Sequence, residues 1–277
     1  MSQTWFITGC STGLGRALAQ HVSSLGYNVV VTARNPEQIR DIGADAPDRT
    51  LTLKLDVTLQ DDIDNAVREA EARFGRIDVL VNNAGVGYFG AFEESDIEAV
   101  REMFEINVWG LASMTRAVLP GMRRQRSGTV VNISSIGGLR ARASLSFYTA
   151  TKFAVEALSE ALANETEKLG IKVLIVEPSG FRTDWAGRSA GEAGVTIEDY
   201  ADTAGAVRGT VRGNSGRQPG DPDRAAKAIV MAVNADNPPL RLLLGRAALA
   251  GARAKVEELT KDFDAWADVT EGADFPD

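Results

Sequence analysis

The chain has 277 residues, of which 44% are hydrophobic and 25% charged, a size and composition that suit one large soluble α/β domain. Its formal net charge of −8 argues against binding to a nucleic acid backbone, which requires a basic surface. A single cysteine, Cys10, and a single histidine, His21, exclude an internal disulfide and leave too few soft ligands for a metal centre, so we expect no metal site.

Short apolar segments alternate with helical segments along the chain. We predict strands at residues 4–8, 28–32, 50–54, 78–82, 129–133 and 172–176, with a further candidate at 241–244. We predict helices at residues 14–24, 61–74, 95–124, 146–169 and 221–235, and a last helix before the acidic tail 271–277. Continuous apolar strands separated by helices are typical of βαβ units with right-handed crossovers. The pattern therefore predicts a single domain over residues 1–277 with a doubly wound parallel sheet, the Rossmann fold, and helices on both faces.

Residues of about 185–220 interrupt this pattern. The segment is rich in Gly, Ala, Arg and Asp and has little sustained periodicity. A loop of this length in a compact domain is usually a functional lid or disordered. We interpret it as a substrate-site lid, and residues of about 221–277 as the C-terminal helices and the last strand.

A glycine-rich loop follows the first strand and opens the first helix. It reads Thr8-Gly9-Cys10-Ser11-Thr12-Gly13-Leu14-Gly15. Glycines here permit a tight turn and a close approach to a pyrophosphate, with a helix N-terminus directed at the negative charge. The loop predicts a dinucleotide site; the alternative is a glycine-rich connection without a ligand.

Tyr148 and Lys152 are four residues apart in a predicted helix, so both side chains lie on one face. An ammonium group beside a phenol lowers the phenol pKa toward working pH and makes it a usable acid or base. The spacing alone also fits an ordinary surface pair.

With the glycine loop, these motifs resemble the short-chain dehydrogenase/reductase family in its compact single-domain branch. Asp56-Val57 resembles the pair that contacts adenine, and Asn82-Asn83-Ala84-Gly85 the motif that stabilises the sheet beside the ribose. Pro178 to Thr183 resembles the stretch whose threonine holds the nicotinamide carboxamide, although Pro178-Ser179-Gly180 departs from the common Pro-Gly start. The matches cover residues of roughly 4–184. The resemblance implies these cofactor-binding residues: Gly9, Ser11, Thr12, Gly13, Leu14, Gly15, Arg34, Asp56, Val57, Asn83, Ala84, Gly85, Tyr148, Lys152, Pro178, Gly180 and Thr183.

The resemblance also implies four catalytic residues. Tyr148 is the general acid, or the base in oxidation, and Lys152 lowers its pKa and binds the nicotinamide ribose. Ser135 orients the substrate oxygen, while its neighbour Ser134 is the alternative if the register slips. Asn107 holds a water beside Lys152 for proton relay, or instead caps an irregular helical turn.

The end of the second strand bears on the choice of dinucleotide. An NAD site usually places a carboxylate there for the ribose 2′-hydroxyl, but the chain reads Thr32-Ala33-Arg34-Asn35. Arg34 offers a planar donor fork suited to a 2′-phosphate, which favours NADP(H), with NAD(H) as the second choice. Arg34 as an ordinary exposed residue and Glu37 as a ribose ligand remain alternatives.

The reaction implied is hydride transfer between the nicotinamide and a ketone, an aldehyde or a secondary alcohol. Apolar residues next to the motifs favour a hydrophobic small-molecule substrate, although they also suit a core. They are Val86, Phe89, Ile136, Leu139, Leu145, Phe147, Phe181 and Trp185. Four arginines of the segment can either meet an anionic substrate or lie in solvent: Arg188, Arg208, Arg212 and Arg217.

Alternative functions are a catalytically idle dinucleotide-binding sensor on the same fold and a nucleotide-sugar epimerase or dehydratase. The full set of four catalytic residues argues against the sensor, and the glycine spacing against the epimerase. We expect a homodimer or homotetramer, as is common in the resembled family. We expect no nucleic acid partner, no membrane insertion and a cytoplasmic location, because no leader segment precedes the first strand and no apolar run reaches membrane-spanning length.

Overall fold

A computed structural model describes residues 2–275, so the last two residues of the predicted acidic tail lie outside the described residues. Seven parallel strands form the central sheet. They are β1 (Thr4–Ile7), β2 (Asn28–Ala33), β3 (Thr50–Lys54), β4 (Val79–Asn82), β6 (Gly128–Ile133), β7 (Ile171–Pro178) and β9 (Arg241–Leu244). Two short strands, β5 (Gly87–Phe89) and β8 (Ala190–Glu192), pair in parallel as a separate small sheet.

Helices connect the strands. They are α1 (Gly13–Ser24), α2 (Gln60–Phe74), α3 (Ile97–Phe104), α4 (Leu111–Gln125), α5 (Ser146–Thr166), α6 (Ala206–Gly213), α7 (Pro222–Val233), α8 (Arg246–Ala265) and α9 (Ala267–Glu271). The predicted strand at 241–244 is confirmed as the edge strand β9. No helix within residues 2–275 is both long enough and apolar enough to cross a membrane.

The strand order is β3-β2-β1-β4-β6-β7-β9. Successive residues of a strand point to opposite faces, so Val29 and Val31 of β2 pack on one face while Val30 packs on the other. The first face is covered by α1 and α7 through residues such as Leu18 and Ile229. The second is covered by α2, α4 and α5, and the predicted doubly wound Rossmann sheet with helices on both faces is confirmed.

The chain order reverses beside β1, which pairs with β2 on one side and β4 on the other. In an open parallel sheet, a crevice forms outside the carboxyl ends of the strands at such a switch point. The glycine loop leaves β1 at this position. The fold thus sets the predicted dinucleotide loop at the place where such sheets bind ligands.

The segment of about 185–220 is more regular than its composition indicates. It contains β8, short helical turns at Asp184–Ala186 and Glu198–Tyr200, and helix α6. The predicted long helix at 95–124 is divided by a π-helical turn, Glu105–Gly110, between α3 and α4. Both features depend on contacts with distant parts of the chain.

Candidate active site

The glycine loop adopts a backbone that requires its glycines. Gly9 and Gly13 have φ angles of +71° and +63°, in the left-handed region that favours glycine. A Cβ atom on Gly15 would lie 2.2 Å from Nδ2 of Asn83 and 2.6 Å from the carbonyl oxygen of Gly9. The loop is therefore packed tightly against the residues after β4 and leads directly into the N-terminus of α1, which has no side-chain cap, an arrangement that favours an anion.

The residues after β4 fix the shape of this loop. Nδ2 of Asn83 donates hydrogen bonds to the carbonyl oxygens of Thr8 and Gly9, both at 2.9 Å. Oγ1 of Thr8 accepts hydrogen bonds from the backbone N–H groups of Asn83 and Ala84 at 2.9 and 3.0 Å. The two motifs, 75 residues apart in sequence, form one hydrogen-bonded unit.

A cavity of about 1820 Å³ extends along the carboxyl edge of the sheet. It is larger than a typical pocket for one small ligand, so a dinucleotide and a substrate have room together. Of the predicted site residues, Gly15 lies inside the loop and Asn107 is buried beside the cavity. The others line it: Gly9, Ser11, Thr12, Gly13, Leu14, Arg34, Asp56, Val57, Asn83, Ala84, Gly85, Ser135, Tyr148, Lys152, Pro178, Gly180 and Thr183.

Arg34 and Asp56 lie at one end of the cavity, at the ends of β2 and β3. Arg34 is exposed. Burial raises the pKa of Asp56, but hydrogen bonds from Thr58 and the positive charge of Arg34 more than offset this, so the pKa falls below its usual value. This end of the cavity therefore offers a guanidinium and an ionised carboxylate to a ligand.

Tyr148 and Lys152 lie on the same face of α5, and each is 7% exposed. Nζ of Lys152 lies 5.8 Å from the centre of the Tyr148 ring. The same Nζ donates a hydrogen bond of 2.8 Å to the carbonyl oxygen of Ile133, at the end of β6. The lysine is thereby held between the strand end and the tyrosine.

Burial controls the titration of both groups. It raises the pKa of Tyr148 to about 12, with the hydroxyl of Ser135 acting in the opposite direction. It lowers the pKa of Lys152 to about 8, with the charge of Glu156 acting in the opposite direction. The sequence predicts a lowered tyrosine pKa instead, and the difference arises because desolvation of the buried phenol is the larger effect. Tyr148 is thus a neutral phenol at neutral pH, and so a proton donor.

Ser135 and Asn107 have different surroundings. Oγ of Ser135 accepts a hydrogen bond of 3.0 Å from the N–H of Gly137 and lines the cavity. Oδ1 of Asn107 accepts from the N–H of Val86 at 2.8 Å, and its Nδ2 donates to the Val86 carbonyl at 2.9 Å and to Oγ1 of Thr151 at 3.1 Å. The Asn107 side chain thus ties the π-helical turn to the strand connection and to α5. Sequence reasoning missed Thr151, whose only signal is its place one residue before Lys152.

The apolar residues predicted at the substrate end divide into two groups. Those lining the cavity are Val86, Ile136, Leu145, Phe181 and Trp185. Phe89, Leu139 and Phe147 do not line it; Phe89 is fully buried and Phe147 packs against Phe92. Trp185 packs against the rings of Tyr148 and Phe89, at centroid distances of 4.8 and 5.7 Å. The Tyr148 phenol therefore borders an aromatic wall.

Arg212 is half-buried and binds the protein itself, with an ion pair to Glu192 at 2.9 Å. Its guanidinium donates to the carbonyl oxygens of Ala186, Gly187 and Ala190 at 3.2, 2.9 and 2.9 Å. It also lies 4.8 Å above the centre of the Phe89 ring. Helix α6 is thereby fastened to the connection that carries Trp185. Arg208 lies away from the cavity, while Arg188 and Arg217 line it.

The chain matches known proteins over most of its length. The family model for short chain dehydrogenase matches residues 3–193. Oxidoreductase BOA17 of Botryotinia fuckeliana is 37% identical over 271 residues, covering 98% of each chain. The 3-ketodihydrosphingosine reductase of Bacteroides thetaiotaomicron is 38% identical over 244 residues, covering 88% of each.

Solved structures agree with these relatives. A short-chain dehydrogenase from Streptomyces avermitilis superposes with a TM-score of 0.93 at 44% identity, covering 99% of this chain and 100% of that one. A 3-ketoacyl-(acyl-carrier-protein) reductase from Brucella melitensis, complexed with NADH, has a TM-score of 0.73 at 25% identity over 88% of this chain and 98% of that one. The loop, the sheet and the cavity edge belong to a fold that relatives share along almost the entire sequence. The chain belongs to the short-chain dehydrogenase family, and it is an oxidoreductase that uses a nicotinamide dinucleotide and acts on CH–OH groups.

Proposed function

We propose that the protein is an NADP(H)-dependent oxidoreductase that interconverts a hydrophobic ketone or aldehyde and the corresponding alcohol. One observation carries this proposal: Ser135, Tyr148 and Lys152 line the same cavity as the glycine loop and Arg34. Groups that can bind a dinucleotide and groups that can donate a proton therefore face one space.

The residues present fit the dinucleotide. Gly9, Ser11, Thr12 and Gly13 of the loop line the cavity where a pyrophosphate would approach, and Gly9 has no room for a side chain, since a Cβ atom there would lie 2.9 Å from Cα of Ala84. Arg34 and Asp56 would hold the adenosine end, and Lys152 and Thr183 the nicotinamide end. When bound, the dinucleotide supplies hydride transfer to or from the carbonyl carbon.

The chain's own residues manage the oxygen and its proton. Ser135 would donate a hydrogen bond to the substrate oxygen and orient it. Tyr148, a neutral phenol by virtue of its burial, would donate its Oη proton to that oxygen in reduction and recover it in oxidation. The ammonium group of Lys152 would stabilise the resulting phenolate. Asn107 would act as a positioning residue, since its amide fastens the π-helical turn to α5.

The cavity walls support an apolar substrate. Val86, Leu145 and Trp185 line the end next to Tyr148. A relative is named 3-ketodihydrosphingosine reductase, and a keto substrate agrees with the proposed reaction. We further propose that residues of about 185–220 form the lid over this end.

Exposed apolar side chains support the proposed homodimer or homotetramer. Trp109, Phe153 and Leu158 are 58%, 44% and 42% exposed on the helical surface around α5. Light scattering of the purified chain checks this state, and a monomer at all concentrations would contradict it.

The cytoplasmic location likewise remains a proposal. The idle-sensor alternative is not favoured, since the relatives are named as oxidoreductases and reductases.

Substitution of Tyr148 by Phe tests the proposed chemistry. The variant keeps the ring that packs on Trp185 but lacks the proton, so turnover should fall about 10²- to 10⁴-fold. NADPH consumption with a panel of apolar ketones measures turnover, and calorimetry should find NADPH binding nearly unchanged. Tyr27→Phe is the control, because the Tyr27 hydroxyl accepts a hydrogen bond from Asn234, whereas Tyr148 lines the cavity. Retention of most activity in Tyr148→Phe would refute the mechanism.

A further inference from the structure

A buried acidic pair lies next to Lys152. Glu156 follows Lys152 by one turn of α5, and Glu177 is the residue before Pro178 at the end of β7. Their side chains are 6% and 0% exposed. Burying two carboxylates is costly unless their charges are compensated or removed.

Compensation of these charges is incomplete. Nη2 of Arg241 lies 3.1 Å from a carboxyl oxygen of Glu156, and its Nε lies 3.4 Å from one of Glu177. The same guanidinium also binds Glu160, a half-exposed residue, at 2.8 Å. Within residues 2–275, no hydrogen bond of good geometry reaches a carboxyl oxygen of Glu156 or Glu177, although the nearby Ser134 hydroxyl acts to lower the pKa of Glu156. The Arg241 guanidinium is therefore shared among three carboxyl groups, and its contacts with Glu156 and Glu177 are ion pairs without a well-aligned hydrogen bond.

The simplest way to satisfy both carboxyl groups is a proton between them. Two neighbouring carboxylates in a site of low polarity do not both ionise, and a protonated one donates to the other. Burial and, after it, the charge of Glu156 raise the pKa of Glu177 to about 7, with the positive charge of Arg241 acting in the opposite direction. With one proton in the pair, the net charge is −1 and the hydrogen bond is made.

This charge lies where it acts on Lys152. Burial lowers the pKa of Lys152, and Glu156 opposes that effect. We infer that Glu156 and Glu177 share one proton, and that the remaining negative charge makes Glu156 a positioning residue that keeps Lys152 an ammonium ion. The inference rests on the proposed role of Lys152 in the function above.

The pair also joins the segments that carry the site. The hydroxyl of Ser134, the residue before Ser135, is buried and close enough to Glu156 to lower the pKa of that carboxyl group. It lies beside Glu156: a Cβ atom on Gly138 would be 2.7 Å from Oγ of Ser134 and 2.8 Å from Oε1 of Glu156. Groups from α5, the end of β6 and the end of β7 thus surround one proton. The charged groups that face it are Lys152, Glu160 and Arg241.

Infrared spectroscopy of the full chain tests the shared proton. We expect a band of a protonated carboxyl group at pH 6 that disappears as the pH rises through about 7. The band should be absent in both Glu177→Gln and Glu156→Gln. It should persist in Glu160→Gln, the matched control, since Glu160 binds the same arginine but is 55% exposed. A spectrum without this band at pH 6 would overturn the inference.

The effect on Lys152 is measured by NMR of protein with labelled lysine, with Lys152→Arg to assign the signal. Glu156→Gln should lower the pKa of Lys152 by about one unit. Glu177→Gln keeps the charge of the pair and can donate its amide N–H to Glu156, so the pKa should stay the same, as in Glu160→Gln. An unchanged Lys152 pKa in Glu156→Gln would overturn the positioning role. Neither measurement needs turnover, so a failure of the proposed function shows separately in the ketone panel.

Discussion

Arg34 at the end of β2 is the residue on which the cofactor proposal depends. Its guanidinium is exposed and lines the cavity, whereas the alternative ribose ligand, Glu37, does not line it and pairs with Arg40 at 2.5 Å. A guanidinium attracts a 2′-phosphate, and a carboxylate in its place would repel it and accept from a 2′-hydroxyl.

Arg34→Asp should therefore reduce the ratio of kcat/KM for NADPH over NADH by about 10- to 100-fold, or ~1.4–2.7 kcal/mol. Steady-state kinetics with both dinucleotides measure the ratio. Arg40→Asp is the control. Arg40 pairs with Glu37, so this variant should leave the ratio of kcat/KM for the two dinucleotides unchanged. If Arg34→Asp retained the wild-type preference, the assignment of NADP(H) would be wrong.

Single residues also mark the limit of sequence reasoning about the site. Tyr148 and Lys152 are four residues apart on one helix, so their common face follows from helical geometry alone. The partners of Asn107 do not, because Val86 and Thr151 are 21 and 44 residues away and meet it only through the π-helical turn. The raised pKa of Tyr148 likewise depends on burial by Trp185 and its neighbours, which no local pattern specifies.

At the scale of elements, the segment of about 185–220 shows why composition misleads. Its order comes from two sets of contacts. Strand β8 pairs with β5, which lies about a hundred residues earlier in the chain. Arg212 of α6 binds carbonyl oxygens of the connection that carries Trp185, and we call this contact the arginine clamp. Gly87 permits this arrangement, since a Cβ atom there would lie 2.8 Å from the Trp185 ring. Such contacts leave no periodic signal in sequence, whereas the strands and helices of the main sheet do.

Arg212→Lys tests the clamp. A lysine keeps the charge but lacks the planar fork that reaches three carbonyl oxygens, so these lose partners and the free energy of unfolding should fall by about 1–3 kcal/mol. Limited proteolysis should cut first within residues of about 184–192, and KM for an apolar ketone should rise. Arg188→Lys is the control, because Arg188 is 80% exposed and pairs only with Asp184 among the described residues. Equal proteolysis of both variants would contradict a clamp.

At the scale of the whole molecule, the alternation of apolar strands and helices was sufficient to predict the parallel sheet and its seventh strand. Its core encloses Cys10, which lies within the glycine loop but is fully buried in the cluster under α1 and α7. Sγ of Cys10 donates to the carbonyl oxygen of Ile7 at 3.2 Å, and burial raises the pKa of the thiol to about 12. The thiol is therefore unreactive while the fold is closed.

Cys10 thus provides a measure of global opening and of dinucleotide binding without turnover. A thiol reagent should modify Cys10 only in molecules that have unfolded, so the rate of modification should be proportional to the unfolded fraction. NADPH should bind only the folded state. At about 100 times its Kd it should therefore raise the free energy of unfolding by ~2.7 kcal/mol and slow the modification of Cys10 about 100-fold. Mass spectrometry follows the single site, and Cys10→Ala gives the background. Rapid modification of the native protein would mean that the glycine loop opens locally, and an equal rate with and without NADPH would contradict binding at this loop.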